Sequence, residues 1–278
     1  MNIRINELTK LTLDGKMYAT PATMEFDRKD LFLSKQEMES KRLCEFILNQ
    51  EPVLTKYSKM TGFFNCNASV VGDAFRRMGH KATSEIMAGF YRNPVDNLST
   101  MEWQHATADY TKILNKGISG IIADIDESLI IHDDPEQVEF LLALKHVANA
   151  LIAWAHKCSE RASELSSTVE NAEHKSNLKK LSEVLFRVPE NAPESFYEAV
   201  LCIYLCFSAD PDSIGTLDRY LYPFYKKDIE NGTLTNEYAY ELICKFLITF
   251  DLHYDHDMKM VGYADHELEN TYVLGVFL

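Results

Sequence analysis

A mainly α-helical fold with a few short strands is what this sequence predicts, and three observations carry that prediction. Apolar residues recur at helical spacing over long stretches, most clearly Val138, Leu141, Leu142, Val147, Ala148, Leu151, Ile152 and Ala155. Helix-start chemistry precedes such stretches, as in Ser34 with Glu37 three residues on, and in Asp134-Pro135-Glu136. Finally, Ser213-Ile-Gly-Thr-Leu-Asp-Arg-Tyr-Leu-Tyr-Pro-Phe-Tyr225 concentrates four aromatic rings, a Gly and a Pro in thirteen residues. It reads as a buried junction between helices, because a Pro inside a helix removes a backbone donor.

The elements follow in order. Residues 1–33 mix short extended pieces with turns, Asp14-Gly15 among them, and are expected to form an N-terminal arm over the main body. Ser34 caps a helix to about Asn49, which Pro52 ends. The pattern from Val53 to His80 is ambiguous, with Ser69–Met78 as a short helix, and Ala82–Tyr91 is helical until Asn93-Pro94. Thr107 is placed to cap a helix through Leu114. Gly117 breaks the pattern, and Ile118–Ile131 resumes it with an acidic face of Asp124, Asp126 and Glu127. Asp134-Pro135 opens a long helix. From Lys157 to about Lys180 the chain is polar, which reads as a helix hairpin projecting from the body with its turn near Asn171 to Ser176. Pro193-Glu194-Ser195 opens a helix through Phe207 that is apolar on nearly every side and belongs in the middle of a core. Thr235 caps a last helix to Phe250, and the tail from Asp251 is irregular.

Composition narrows the function classes. With 278 residues and 46% hydrophobic content the chain can bury a large core, as a single domain over 1–278. No apolar run approaches the roughly 20 residues of a spanning helix, and no signal-peptide core appears at the N-terminus, so a soluble, cytoplasmic protein without a membrane partner is expected. A formal charge of -14 argues against nucleic acid as a partner. The six cysteines form no Cys-x-x-Cys. Cys202 and Cys206, four apart, are read as buried reduced thiols in preference to metal ligands.

Candidate chemistry is sparse. Asp251-Leu-His-Tyr-Asp-His-Asp257 with Asp265-His266-Glu267 is dense in potential metal ligands but lacks a helical His-x-x-x-His frame, so no metal is expected. His105 and Asp109 are four apart beside Trp103 and Tyr110. On one helix face they can hydrogen-bond a polar ligand, or they can be a capping His and an exposed Asp. No Gly-x-Gly-x-x-Gly, Gly-x-x-x-x-Gly-Lys-Ser/Thr or Gly-x-Ser-x-Gly occurs, which removes support for nucleotide binding and for a nucleophile elbow.

Three collinear segments nevertheless carry a resemblance. Trp103-Gln-His-Ala-Thr-Ala-Asp-Tyr-Thr-Lys-Ile-Leu-Asn-Lys-Gly-Ile-Ser-Gly-Ile-Ile122 resembles the Gly-His … Asp-Tyr … Gly-x-x-Gly-Ile segment of glycyl radical enzymes. That family includes pyruvate formate-lyase (formate acetyltransferase) and related lyases and dehydratases of anaerobic metabolism. Arg187-Val-Pro-Glu-Asn-Ala-Pro-Glu-Ser-Phe-Tyr-Glu-Ala-Val200 is similar to the family's Arg-Val-Pro helix entry. Ser213–Tyr225 is similar to its Gly-Arg-Leu-Asp-Gln-Tyr-Leu-Tyr-Pro signature, with Gly215, Asp218 and Tyr220 matching and Thr216 and Arg219 departing. The resemblance implies the N-terminal helical portion of a ten-stranded α/β barrel. It implies that His105, with Gln104 in place of the Gly, faces substrate and that Asp109 neighbours it, while Gly215, Asp218 and Tyr220 are structural.

The same resemblance implies a glycyl radical installed by a radical-SAM activase and relayed to a cysteine. Neither a Gly-Cys-x-Glu loop nor an Arg-Val-x-Gly-Tyr loop occurs in this sequence, so no catalytic residue is assigned and no cofactor is expected on this chain. Ala209-Asp210-Pro211-Asp212 replaces the His-Ser pair of the glycerol-dehydratase branch. The implied protein is the N-terminal part of such an enzyme, inactive alone. It would self-associate or pair with a C-terminal partner chain, and bind a small-molecule substrate only when complete. The alternative is a stand-alone helical scaffold or interaction protein derived from that fold, and a third reading is a metal-dependent hydrolase built on the tail.

Overall fold

The computed structural model describes residues 30, 32–49, 52, 54, 108–209, 213–251 and 271–272. The expected N-terminal arm before residue 30, the expected elements within 55–107, His105, and the His/Asp tail beyond Asp251 lie outside these residues. Helix α1 spans Lys35–Leu48, and its start is a full capping box. Ser34 Oγ accepts from Glu37 N at 3.1 Å, and Ser34 N donates to Glu37 Oε2 at 2.9 Å. Lys41 on this helix pairs with the buried carboxylate of Asp30.

Helix α2 spans Tyr110–Ile131 and α3 spans Pro135–Thr168, opened by Asp134 accepting from Glu136 N and Gln137 N at 3.1 and 3.0 Å. Helix α4 spans Ala172–Arg187, capped by Asn171 on His174 N. The α3–α4 hairpin is therefore present, with its turn at 169–171 and not at 171–176. Asn171 supplies the first-turn acceptor there, so the helix starts directly after it. Across the hairpin Trp154, Ala155, Cys158 and Ala162 are buried on one side and Leu178, Leu181 and Leu185 on the other. Ser159 Oγ donates to Ser182 O at 2.7 Å, tying the polar positions of the seam. Helix α3 is also long and apolar enough by length and composition to cross a membrane, with 22% of its apolar window buried, which departs from the expectation that no run reaches that size.

Helix α5, Phe196–Ala209, is the centre of the fold, as its all-round apolar sequence predicts. Ala199 through Leu205 are each fully buried, and α2, α3, α6 and α7 all contact it. Strand β1, Ser213–Gly215, pairs in parallel with β2, Thr271–Tyr272. Helix α6 spans Leu217–Glu230 and α7 spans Asn236–Asp251, the latter started by Thr235 Oγ1 accepting from Tyr238 N. The aromatic stretch is thus a short strand and a helix, with Pro223 inside the helix. The expected buried junction between helices is thus itself helical from Leu217 onward, with Tyr222 and Pro223 exposed. Pro223 and Arg219, whose carbonyl loses its helical donor, both lie on the exposed side, so water can satisfy that carbonyl.

Helix α7 turns Ala239, Leu242 and Phe246 into the core, with the Phe246 ring edge-on to Tyr204 at 6.4 Å. Lys180 on α4 places Nζ 5.0 Å from the Tyr197 ring centre and 5.3 Å from that of Tyr238, bridging α4, α5 and α7. Burial raises the Tyr197 phenol well above its ordinary range. Burial, and then Glu241, push Tyr238 up to about 12. Two of the three carboxylates on the acidic face of α2, Asp124 and Asp126, are paired within the chain. Lys116 Nζ donates to Asp124 at 2.7 Å with Lys112 alongside, holding that carboxyl below the usual range, and Lys145 pairs with Asp126.

Candidate functional site

The three resembling segments are brought together around α5, and each contact has a local cause. The first meets the second at Gly117, where α2 kinks with φ 66 and ψ 173. That backbone region is accessible essentially to Gly alone. The kink turns two amides outward. Ile118 N donates to Pro189 O at 2.8 Å and Ser119 N to Glu190 O at 2.9 Å. The approach leaves no room for a side chain, since a Cβ on Gly117 would lie 2.5 Å from both Glu190 O and Asn191 C. The Glu190 side chain reaches His156 Nε2 on α3 at 2.9 Å, and the exposed Phe186 ring stacks on that imidazole at 4.9 Å.

The second segment is closed on itself by Arg187. Its Nη2 donates to Ala192 O at 2.9 Å and pairs with Glu194 at 2.9 Å, while Nε reaches Glu198 at 3.3 Å. The second then meets α6, the helix that carries the third, through Asp228. This buried carboxylate accepts from Phe196 N at 2.7 Å, acting as a cap for α5 supplied by another helix. Lys227 Nζ donates to Glu194 O beside it, and the Tyr225 ring lies edge-on to Phe196 at 6.0 Å. The third meets the first where Tyr220 lies 5.7 Å from Tyr110.

The candidate residues fall as follows. Asp109 is the N-cap of α2, accepting from Lys112 N at 3.0 Å, and it is exposed. The helix therefore begins after Asp109 and not at Thr107. The expectation that Asp109 shares a helix face with His105 does not hold at Asp109, because a cap residue stands outside the helical turn. Gly215 has φ 71, the left-handed conformation that turns β1 into α6 and that favours Gly. Tyr220 is half-buried against Tyr110. Asp218 occupies the first turn of α6, and both of its carboxylate oxygens are shielded from solvent without a hydrogen-bond donor among the described residues. Asp228, Glu190 and Arg187 stand within or beside the resembling segments, but their linking roles needed the three-dimensional contacts. Among the described residues no group of three His, Cys, Asp or Glu side chains is placed to hold a metal. Cys202 is buried. The neighbouring Cys206 thiol and then burial push its thiol well above the ordinary range, as suits a core thiol.

The sequence matches the family described as Pyruvate formate lyase-like over residues 35–264. It is 34% identical over 159 residues to the isethionate sulfite-lyase of Oleidesulfovibrio alaskensis, covering 52% of this chain and 19% of that protein. It is 32% identical over 151 residues to the 4-hydroxyphenylacetate decarboxylase glycyl radical subunit of Clostridium scatologenes, covering 49% of this chain and 17% of that protein. The fold superposes on the glycerol-bound B12-independent glycerol dehydratase of Clostridium butyricum with a TM-score of 0.69 at 20% identity, over 90% of this chain and 39% of that one. Hydroxyproline dehydratase of Clostridioides difficile gives a TM-score of 0.69 at 16% identity, over 91% of this chain and 40% of that one. The chain thus spans about a fifth of the length of these curated relatives. Its match extends over most of its own residues, and it belongs to the pyruvate formate lyase-like family of glycyl radical enzymes, of whose barrel fold it is a mostly helical N-terminal portion.

Proposed function

We propose that this chain is the N-terminal, substrate-side portion of a glycyl radical enzyme of the lyase and dehydratase type, without turnover of its own. The observation that carries the reading is the convergence of the three family segments on α5, through Gly117 with Glu190, Phe196 with Asp228, and Tyr110 with Tyr220. In this reading the convergence forms a wall, which is what a radical site needs from its helical layer. The proteins named above are one lyase, one decarboxylase subunit and two dehydratases, which favours bond-cleaving chemistry on a small molecule over acetyl transfer to formate.

The radical chemistry belongs to residues this sequence does not contain. Neither a Gly-Cys-x-Glu nor an Arg-Val-x-Gly-Tyr loop occurs in the 278 residues. In this proposal a radical-SAM activase acts on a complementary portion of the enzyme, the active assembly is cytoplasmic, and His105 with Asp109 faces the substrate. Exposed apolar side chains support the incompleteness: Ile130 is 86% exposed, Ile131 76% and Phe140 53%. Such surface marks an interaction face. The purified chain is expected to self-associate on size-exclusion chromatography or to bind the apolar dye ANS strongly. A compact monomer silent to the dye contradicts the proposal.

A further inference from the structure

Three buried carboxylates in the described residues are met inside the chain. Asp228 accepts from Phe196 N, Glu241 pairs with Lys245, and Asp30 pairs with Lys41. Asp218 differs in that both of its oxygens are shielded from water and neither accepts a hydrogen bond among the described residues, whereas Glu39 leaves only Oε1 in that state. A shielded carboxylate left unmet is costly, more so than a neutral group. Its helix does not use it either: Thr216 is the cap residue of α6, no side-chain bond closes that end, and the amides of Arg219 and Tyr220 donate to Thr216 O and not to Asp218. The residue as a whole is half-buried, so the carboxylate lies just beneath the surface.

We propose that Asp218 is the acceptor for an arginine guanidinium carried by the polypeptide that completes the barrel. This rests on the reading that the chain is one portion of a larger enzyme. Two oxygens unmet together call for a planar donor that engages both at once, which a guanidinium does and an ammonium, a single point of charge, does less well. Position supports the source. Asp218 follows β1 by three residues, β1 is paired with β2 in a sheet of two described strands, and the chain covers 39–40% of the solved barrels it superposes on. In this proposal the remaining barrel adjoins the β1 end of the fold, and the arginine reaches Asp218 from it.

Two measurements on the isolated chain test the assignment. Asp218→Asn removes an unmet charge, so its thermal midpoint is expected to rise by about 4 °C. Guanidinium chloride at low millimolar concentration is expected to raise the midpoint of the wild-type chain above that in sodium chloride of equal ionic strength, with no such difference in Asp218→Asn. A midpoint for Asp218→Asn that is unchanged or lower overturns the proposal, because the carboxylate then already has its donor. Equal stabilisation by methylammonium and guanidinium, or by neither, overturns it too. These outcomes leave the parent reading standing, whereas a compact, dye-silent monomer removes the parent reading whatever guanidinium does.

Discussion

Gly117→Ala is expected to lower the stability of the chain by about 4 kcal/mol and its thermal midpoint by about 10 °C. The added Cβ must enter space 2.5 Å from the Glu190 carbonyl oxygen and the Asn191 carbonyl carbon. Neither is the mobile end of a side chain, so the 189–192 turn has to move. Moving it strains or breaks the bonds from Ile118 N to Pro189 O and from Ser119 N to Glu190 O, each worth about 1 kcal/mol. Backbone strain adds to this, because φ 66 with ψ 173 is a conformation that alanine avoids. Gly232→Ala is the matched control. Its φ of 70 imposes a comparable left-handed demand, but nothing lies within 4 Å of the added atom, so about 1 kcal/mol is expected. Thermal melts followed by circular dichroism separate the two costs. Equal, small losses at both positions contradict the close approach of α2 to the 189–192 turn.

The second large effect is at Lys245. Its side chain is 3% exposed and that of Glu241 12%, and Nζ lies 2.8 Å from Glu241 Oε1 within one face of α7. Lys245→Ala leaves a carboxylate shielded beside Leu242 and Phe246, and a loss of about 3 kcal/mol is expected. Replacing both partners, as Glu241→Leu with Lys245→Leu, is expected to recover most of that loss. An apolar pair carries no desolvation cost and keeps the volume filled. Chemical denaturation of the single and double variants reads the outcome directly. A single variant within about 0.5 kcal/mol of wild type contradicts the burial of this pair.

Much of this architecture was legible in the residues because its causes are local. Ser34 with Glu37, Asp134 with Pro135, and Thr235 state their helix starts within four residues, and the structure has each of them. The apolar run of α5 announces its place, since a helix with no polar face has to be enclosed. What stayed hidden depends on partners distant in sequence. Gly117 reads only as a break until the turn at 189–192 is seen against it, and Asp228 reads as a surface charge until it is seen capping a helix that begins 32 residues earlier. Pro223 misleads because its cost depends on whether the bereft carbonyl faces water, which periodicity does not state. At the candidate site, Gly215, Asp218 and Tyr220 were recognisable by resemblance, while the unmet oxygens of Asp218 follow from packing alone. Asp109 was placed inside a helix that starts one residue after it, because Thr107 offers the same kind of cap.

Electron paramagnetic resonance after anaerobic incubation with a radical-SAM activase and its reductant tests the central claim most directly. On the proposed reading the chain alone is expected to show no glycyl radical doublet and no substrate turnover, since neither a Gly-Cys-x-Glu nor an Arg-Val-x-Gly-Tyr loop occurs in its 278 residues. A glycyl doublet on the isolated chain would contradict the account.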